Sequence, residues 1–144
     1  MSLSVQPVKS GVAQAGPRVL IADDDPAARL LVRRVVERHF HAVVREAADG
    51  AEVLEACQQE TPDLLLLDIS MPAADGIQVL TALRQDPVFA KLPVMAITAT
   101  VGGETVLRMI ELGVVDYPRK PFELPAIERR LARILKHTAL RSTE

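Results

Sequence analysis

Cysteine is nearly missing from this chain of 144 residues, where Cys57 stands alone. No internal disulfide and no cysteine-rich metal site can form. Cys57 itself lies on an apolar helical face and reads as a small core residue. Aromatics are scarce at 3%, and tryptophan is absent, so the interior must be packed with aliphatic side chains. Long hydrophobic runs are lacking too. No stretch approaches the ~20 apolar residues of a membrane-spanning helix, and no signal-peptide pattern opens the chain. These absences predict a cytoplasmic protein with no membrane association. Charge of one sign is not in excess. The net value of −2 gives no general reason for direct nucleic-acid binding. His39, His41 and His137 have no spacing that would hold a metal and read as surface or helix-end residues.

What is present suits one domain with one core: 49% of the residues are hydrophobic. Charge is unevenly spread. Residues 119–141 hold seven basic side chains against Glu123 and Glu128, which reads as a solvated basic helix face rather than a nucleic-acid patch.

Residues 1–16 lack any period and read as a flexible N-terminal tail. A domain over 17–138 and a short C-terminal tail over 139–144 follow. Short apolar runs predict strands at 18–22, 43–46, 64–68, 94–99 and 114–117. Helices are predicted from Pro26, over 50–60, 77–85, 104–112 and 124–137. Pro26 suits a first helical turn, where its missing N–H costs nothing. Thr61-Pro62 breaks the second helix, and Gly113 ends the fourth. Alternating strands and helices predict an α/β fold: a doubly wound, five-stranded parallel sheet of order 2-1-3-4-5 in a flavodoxin-like three-layer sandwich.

In a parallel sheet all carboxyl ends lie on one edge, where ligand sites form. Asp23-Asp24, Asp68, Thr98 and Lys120 fall at or shortly after such ends. Carboxylates with these neighbours make a hard-cation site suited to Mg2+. Asp25 is expected to cap the first helix. Asp68, after four leucines, is costly to place without partners. Ionised, it can attack phosphorus to give an acyl phosphate. Lys120 and Thr98 can neutralise and hydrogen-bond phosphoryl oxygens. Each residue alone has an ordinary reading as a cap, turn or strand residue. Their convergence carries the argument.

These residues resemble the receiver domain of two-component response regulators over about residues 17–138. The resemblance rests on Val19 to Pro26, Asp63 to Pro72, Asp75-Gly76, Pro93 to Ala99, and Asp116 to Phe122. It implies that Asp23, Asp24, Asp68 and the Ser70 backbone carbonyl hold Mg2+. Asp68 would be the phosphoacceptor, Lys120 the phosphate-binding lysine, Thr98 the switch hydroxyl and Tyr117 the switch aromatic. The donor would be a phosphohistidine on a sensor histidine kinase or a histidine phosphotransfer protein. Ser70 and Thr100 would flank the path of attacking water. Output would pass through the fourth helix, fifth strand and fifth helix to an unidentified protein target. An acidic partner surface, or a second copy forming a homodimer, fits the basic residues Arg129, Arg130, Arg133 and Lys136. The chain departs from the family pattern at Val114-Val115 and at Pro118, which removes a backbone donor and shortens the fifth strand. With few residues after His137, this reading expects no output domain to follow.

Two other readings stay open at this point. A haloacid-dehalogenase-like phosphatase would use Asp23 as nucleophile, but it needs a later acidic cluster at a strand end. A non-phosphorylated receiver fold would serve only as an interaction module.

Overall fold

The computed structural model describes residues 16–71, 76–99 and 102–142, with side chains up to Lys136. Pro72, Asp75 and Thr100 lie outside the described residues. The elements run β1 (Arg18–Ala22), α1 (Pro26–Phe40), β2 (Val43–Ala47), α2 (Gly50–Gln59), β3 (Leu64–Asp68), α3 (Gly76–Gln85), β4 (Val94–Ile97), α4 (Gly103–Glu111) and α5 (Leu124–Ser142).

The parallel sheet has order β2-β1-β3-β4. This corrects the predicted count of five strands. The chain over 114–119 does run parallel to β4, but it pairs only through isolated bridges, Met95 with Asp116 and Thr98 with Arg119. Pro118 lies between the two bridges and has no N–H to give. The Tyr117 amide is turned onto the Asp116 carboxylate at 2.9 Å instead. Val115, Asp116 and Lys120 still reach β4 through backbone hydrogen bonds to Val94, Ala96 and Thr98. The segment keeps its place at the sheet edge without a continuous ladder. β4 likewise ends at Ile97 rather than residue 99, and α5 continues past His137 because neither glycine nor proline interrupts it before Ser142.

Alternation along the strands builds two cores. Leu20, Leu65, Leu67, Val94 and Ala96 face α2, α3 and α4, packing with Val53, Cys57, Leu80, Leu83 and Met109. Val19, Ile21, Leu64, Leu66, Met95 and Ile97 face α1 and α5, packing with Val32, Val35, Val36, Ile127 and Leu131. A strand buried on both faces needs apolar residues at every position. Leu64 to Leu67 meet that need with 0% exposure, each leucine adding roughly 1.5–3 kcal/mol of burial. Cys57 belongs to this core, and burial pushes its thiol up to about 11, which makes it a poor nucleophile.

Local chemistry sets the helix ends as the sequence predicts. The Asp25 carboxylate accepts from the Ala27 amide at the start of α1. Gly113 leaves α4 at φ +71, a left-handed conformation that glycine adopts without strain. Among the described residues no helix is long and apolar enough to cross a membrane.

Candidate phosphoacceptor site

The register sets the site. Ala22 pairs with Leu67, and Asp68 with Ile97. One step further along each strand, Asp23 comes beside Asp68, and Thr98 stands at the same edge. Asp23 is 5% exposed, Asp68 4% and Thr98 1%. Lys120 follows the last bridge, its amide donating to the Thr98 carbonyl at 2.8 Å.

The side chains meet there. Lys120 Nζ lies 2.9 Å from Asp23 Oδ2 and 3.4 Å from Asp68 Oδ2. Asp68 Oδ1 accepts from the Ser70 amide at 2.9 Å, and Asp23 Oδ1 from the Asp25 amide at 2.9 Å. The Ser70 and Thr98 hydroxyls are 3.1 Å apart. One carboxylate oxygen from each of Asp23, Asp24 and Asp68 lies within 4.8 Å of the others. It is the one such cluster among the described residues. Hard oxygen donors this close suit a small divalent cation, and exposed Asp24 leaves the cluster open to solvent.

Burial raises the Asp68 carboxyl above its ordinary value. The Ser70 amide and the Lys120 ammonium pull it back, while the Asp23 charge adds to the rise. Burial also works against the Lys120 charge. The hydrogen bond to Asp23 and the charges of Asp68 and Asp23 outweigh it, so the ammonium is held above its ordinary range.

Tyr117 is 38% exposed. Arg130 is paired with Asp116, which ties α5 to the edge segment. The other basic residues of α5 include Arg129, Arg133 and Lys136, all exposed. His39 pairs with Glu128 at 3.2 Å, and His41 is the left-handed C-cap of α1. Neither approaches the acidic cluster's ligand set.

Sequence reasoning missed two features of the site. Arg29, one turn into α1, donates to the backbone carbonyl of Asp23; periodicity shows its helix face but not how far a guanidinium reaches. Gly76 was visible only as part of a turn. A Cβ built on it would lie 2.5 Å from Ile69 Cα and 3.0 Å from the Asp68 carbonyl oxygen. Its amide also donates to the Ile69 carbonyl at 3.2 Å. The start of α3 is thus pressed against the backbone that carries Asp68. Gly76→Ala is expected to destabilise by about 1–3 kcal/mol, as overpacking against backbone does. Urea unfolding checks this, and wild-type stability in that variant would mean that α3 can retreat without cost.

Comparison with known proteins agrees with this geometry. The family described as the response regulator receiver domain matches residues 19–132. The chain is 35% identical over 127 residues to Response regulator MprA of Mycobacterium ulcerans, covering 88% of this chain and 53% of that protein. It is 35% identical over 121 residues to Protein CcdB of Bacillus subtilis, covering 83% of this chain and 98% of that one. Among solved structures, a CheY-like receiver domain protein from Methanospirillum hungatei superimposes with a TM-score of 0.80 at 22% identity, covering 88% of this chain and 99% of that one, a likeness of fold. The chain spans about half the length of the first curated relatives it matches. The phosphatase reading finds no support in these matches. With its family matched across both cores and the whole acidic edge, this chain belongs to the response regulator receiver domains, the phosphoacceptor modules of two-component signalling.

Proposed function

We propose that Asp68 is the phosphoacceptor and that residues 17–138 form the signalling unit. The observation that carries this is a buried carboxylate at the end of the central strand, within hydrogen-bonding reach of Lys120 and beside Asp23. Asp23, Asp24, Asp68 and the Ser70 carbonyl would hold Mg2+. When bound, that ion supplies positive charge to phosphoryl oxygens and lowers the cost of bringing an anion to an acidic site. An Asp68 oxygen forms the new P–O bond as the P–N bond of a phosphohistidine breaks, its electron pair leaving with the imidazole nitrogen. Lys120 orients and neutralises the transferred group, and Thr98 donates to it.

The donor is a sensor histidine kinase or a histidine phosphotransfer protein. A groove of about 520 Å³ beside Lys120, lined by Leu31, Val32, Phe122 and Leu124 among others, offers it an apolar footing. The phosphorylated form draws the Thr98 hydroxyl toward the phosphoryl group and lets Tyr117 repack, shifting an existing population on the α4 and α5 face. The downstream target is a protein that docks there, or a second copy in a homodimer. Short polar Ser70 leaves water a path to the acyl phosphate, so the domain assists its own dephosphorylation.

The test is chemical. Incubation with a small phosphodonor and Mg2+, reductive trapping of the acyl phosphate and peptide mapping are expected to place the label on Asp68. A label on Asp23 would revive the phosphatase chemistry. No label would leave an interaction module.

A further inference from the structure

We propose that Arg29 is a positioning residue for the metal-binding turn, acting through the Asp23 backbone and anchored on Glu46. The proposal rests on the assignment of Asp23 and Asp24 as metal ligands. Arg29 Nη1 donates to the Asp23 carbonyl at 2.6 Å, while its Nε donates to Glu46 Oε1 at 2.7 Å. The side chain is 17% exposed, and its bond to the Asp23 carbonyl is partly buried. Glu46 is itself fixed, since its other oxygen accepts from Arg33 Nη1 at 2.6 Å, and Arg33 Nε is held by Glu37 at 2.9 Å.

The end of β2 therefore supports the acidic turn twice. Directly, the Ala47 carbonyl accepts from the Asp23 amide at 3.1 Å. Indirectly, Glu46 holds the guanidinium that grips the Asp23 carbonyl. The peptide groups on both sides of Asp23 are pinned. The second of them leads into Asp24, the exposed member of the cluster. Asp24 has no burial to hold it, so its backbone orientation depends on that pinned peptide. Groups that touch a ligand without touching the metal commonly change affinity by about 10–100-fold when removed.

Charge and position predict opposite signs here. A guanidinium beside a cation site repels the cation. If charge were its whole effect, removing Arg29 would tighten Mg2+ binding. If position dominates, removal weakens it.

Calorimetric titration with Mg2+ separates the two in wild type, Arg29→Gln, Arg29→Lys, Arg33→Gln and Asp24→Ala, with thermal unfolding to show that each is folded. Arg29→Gln is expected to weaken Mg2+ binding about tenfold, and saturating Mg2+ should restore its Asp68 labelling rate. Arg29→Lys keeps the charge but not the fork that spans two acceptors, and should also bind more weakly than wild type. Arg33→Gln loosens Glu46 but leaves the Arg29 bond to the turn in place, so its loss of Mg2+ affinity should be clearly smaller than that of Arg29→Gln. Unchanged or tighter Mg2+ binding in Arg29→Gln overturns the proposal, as does a loss in Arg33→Gln equal to that in Arg29→Gln. If Asp24→Ala binds Mg2+ like wild type, the metal assignment itself fails and takes the role of Arg29 with it.

Discussion

Asp68→Asn is expected to abolish Mg2+-dependent labelling and, at the same time, to make the metal-free protein more stable at neutral pH. The first effect follows from the proposed role of Asp68, since asparagine has no carboxylate oxygen to attack phosphorus. The second follows from the direction in which the Asp68 carboxyl is shifted. Burial raises it above the ordinary 3.8, so the folded state holds this proton more tightly than the unfolded chain. Between 3.8 and the raised folded value, the folded state binds more protons. Unfolding free energy therefore falls as pH rises through that window, and the loss is complete above it. Asparagine has the same shape and can still accept from the Ser70 amide, but carries no charge to desolvate. Lys120 loses its 3.4 Å partner and keeps the closer one, Asp23 at 2.9 Å. Thermal unfolding in a chelator from pH 4 to 8 checks this. Wild type should lose stability on leaving the acidic end, the variant should show a flatter profile, and the variant's midpoint should stand a few degrees higher at pH 7. A less stable variant at pH 7 would mean that pairing with Lys120 outweighs the burial of the charge.

This tension between stability and chemistry explains which parts of the molecule could be read in the sequence. The central strand was legible because Leu64 to Leu67 are apolar without alternation, which only a strand buried on both faces requires. Asp23, Asp68, Thr98 and Lys120 were legible because each breaks such a run or follows one closely, and a parallel sheet sends all such ends to one edge. The edge segment near Tyr117 was legible only in part: Pro118 pointed to a shortened strand, but not to its reduction to isolated bridges. Its valines suggest a strand, yet hydrogen bonding there depends on Pro118, which interrupts the ladder while the flanking residues still bridge to β4. The end of α5 was blurred for the opposite reason, since nothing after His137 marks a stop. Arg29 and Gly76 mark a deeper limit. One acts through the reach of a side chain to a backbone carbonyl six residues earlier, the other through an absent Cβ beside Ile69. Neither effect has a period, so only the assembled fold displays it.

Lys120→Ala should separate the charge of the lysine from that of the proposed Mg2+. In the metal-free protein the ammonium is what holds Asp23 and Asp68 together, with side chains 7% and 5% exposed respectively. Removing it leaves two buried carboxylates facing each other, and a loss of about 2 kcal/mol is expected from the broken charged hydrogen bonds. Mg2+ held as proposed would occupy the same carboxylates, so the loss should shrink when Mg2+ is present. Affinity for Mg2+ should be retained or increased, since a competing cation has gone. Phosphorylation should respond differently, because the proposed role puts the lysine's charge on the transferred group itself. Labelling of Asp68 should fall about a hundredfold, the effect of losing one electrostatic donor at a reacting centre. The wild-type alkaline limb provides a further check. Asp23 and Asp68 hold Lys120 above its ordinary 10.5, so its contribution is fully present below that value and disappears as pH rises through the folded one. Lys120→Ala should lack this component of the alkaline decline. Urea unfolding with and without Mg2+, beside labelling rates, measures all three effects. Loss of Mg2+ binding in Lys120→Ala, together with its survival in Asp24→Ala, would invert the roles assigned to the two residues.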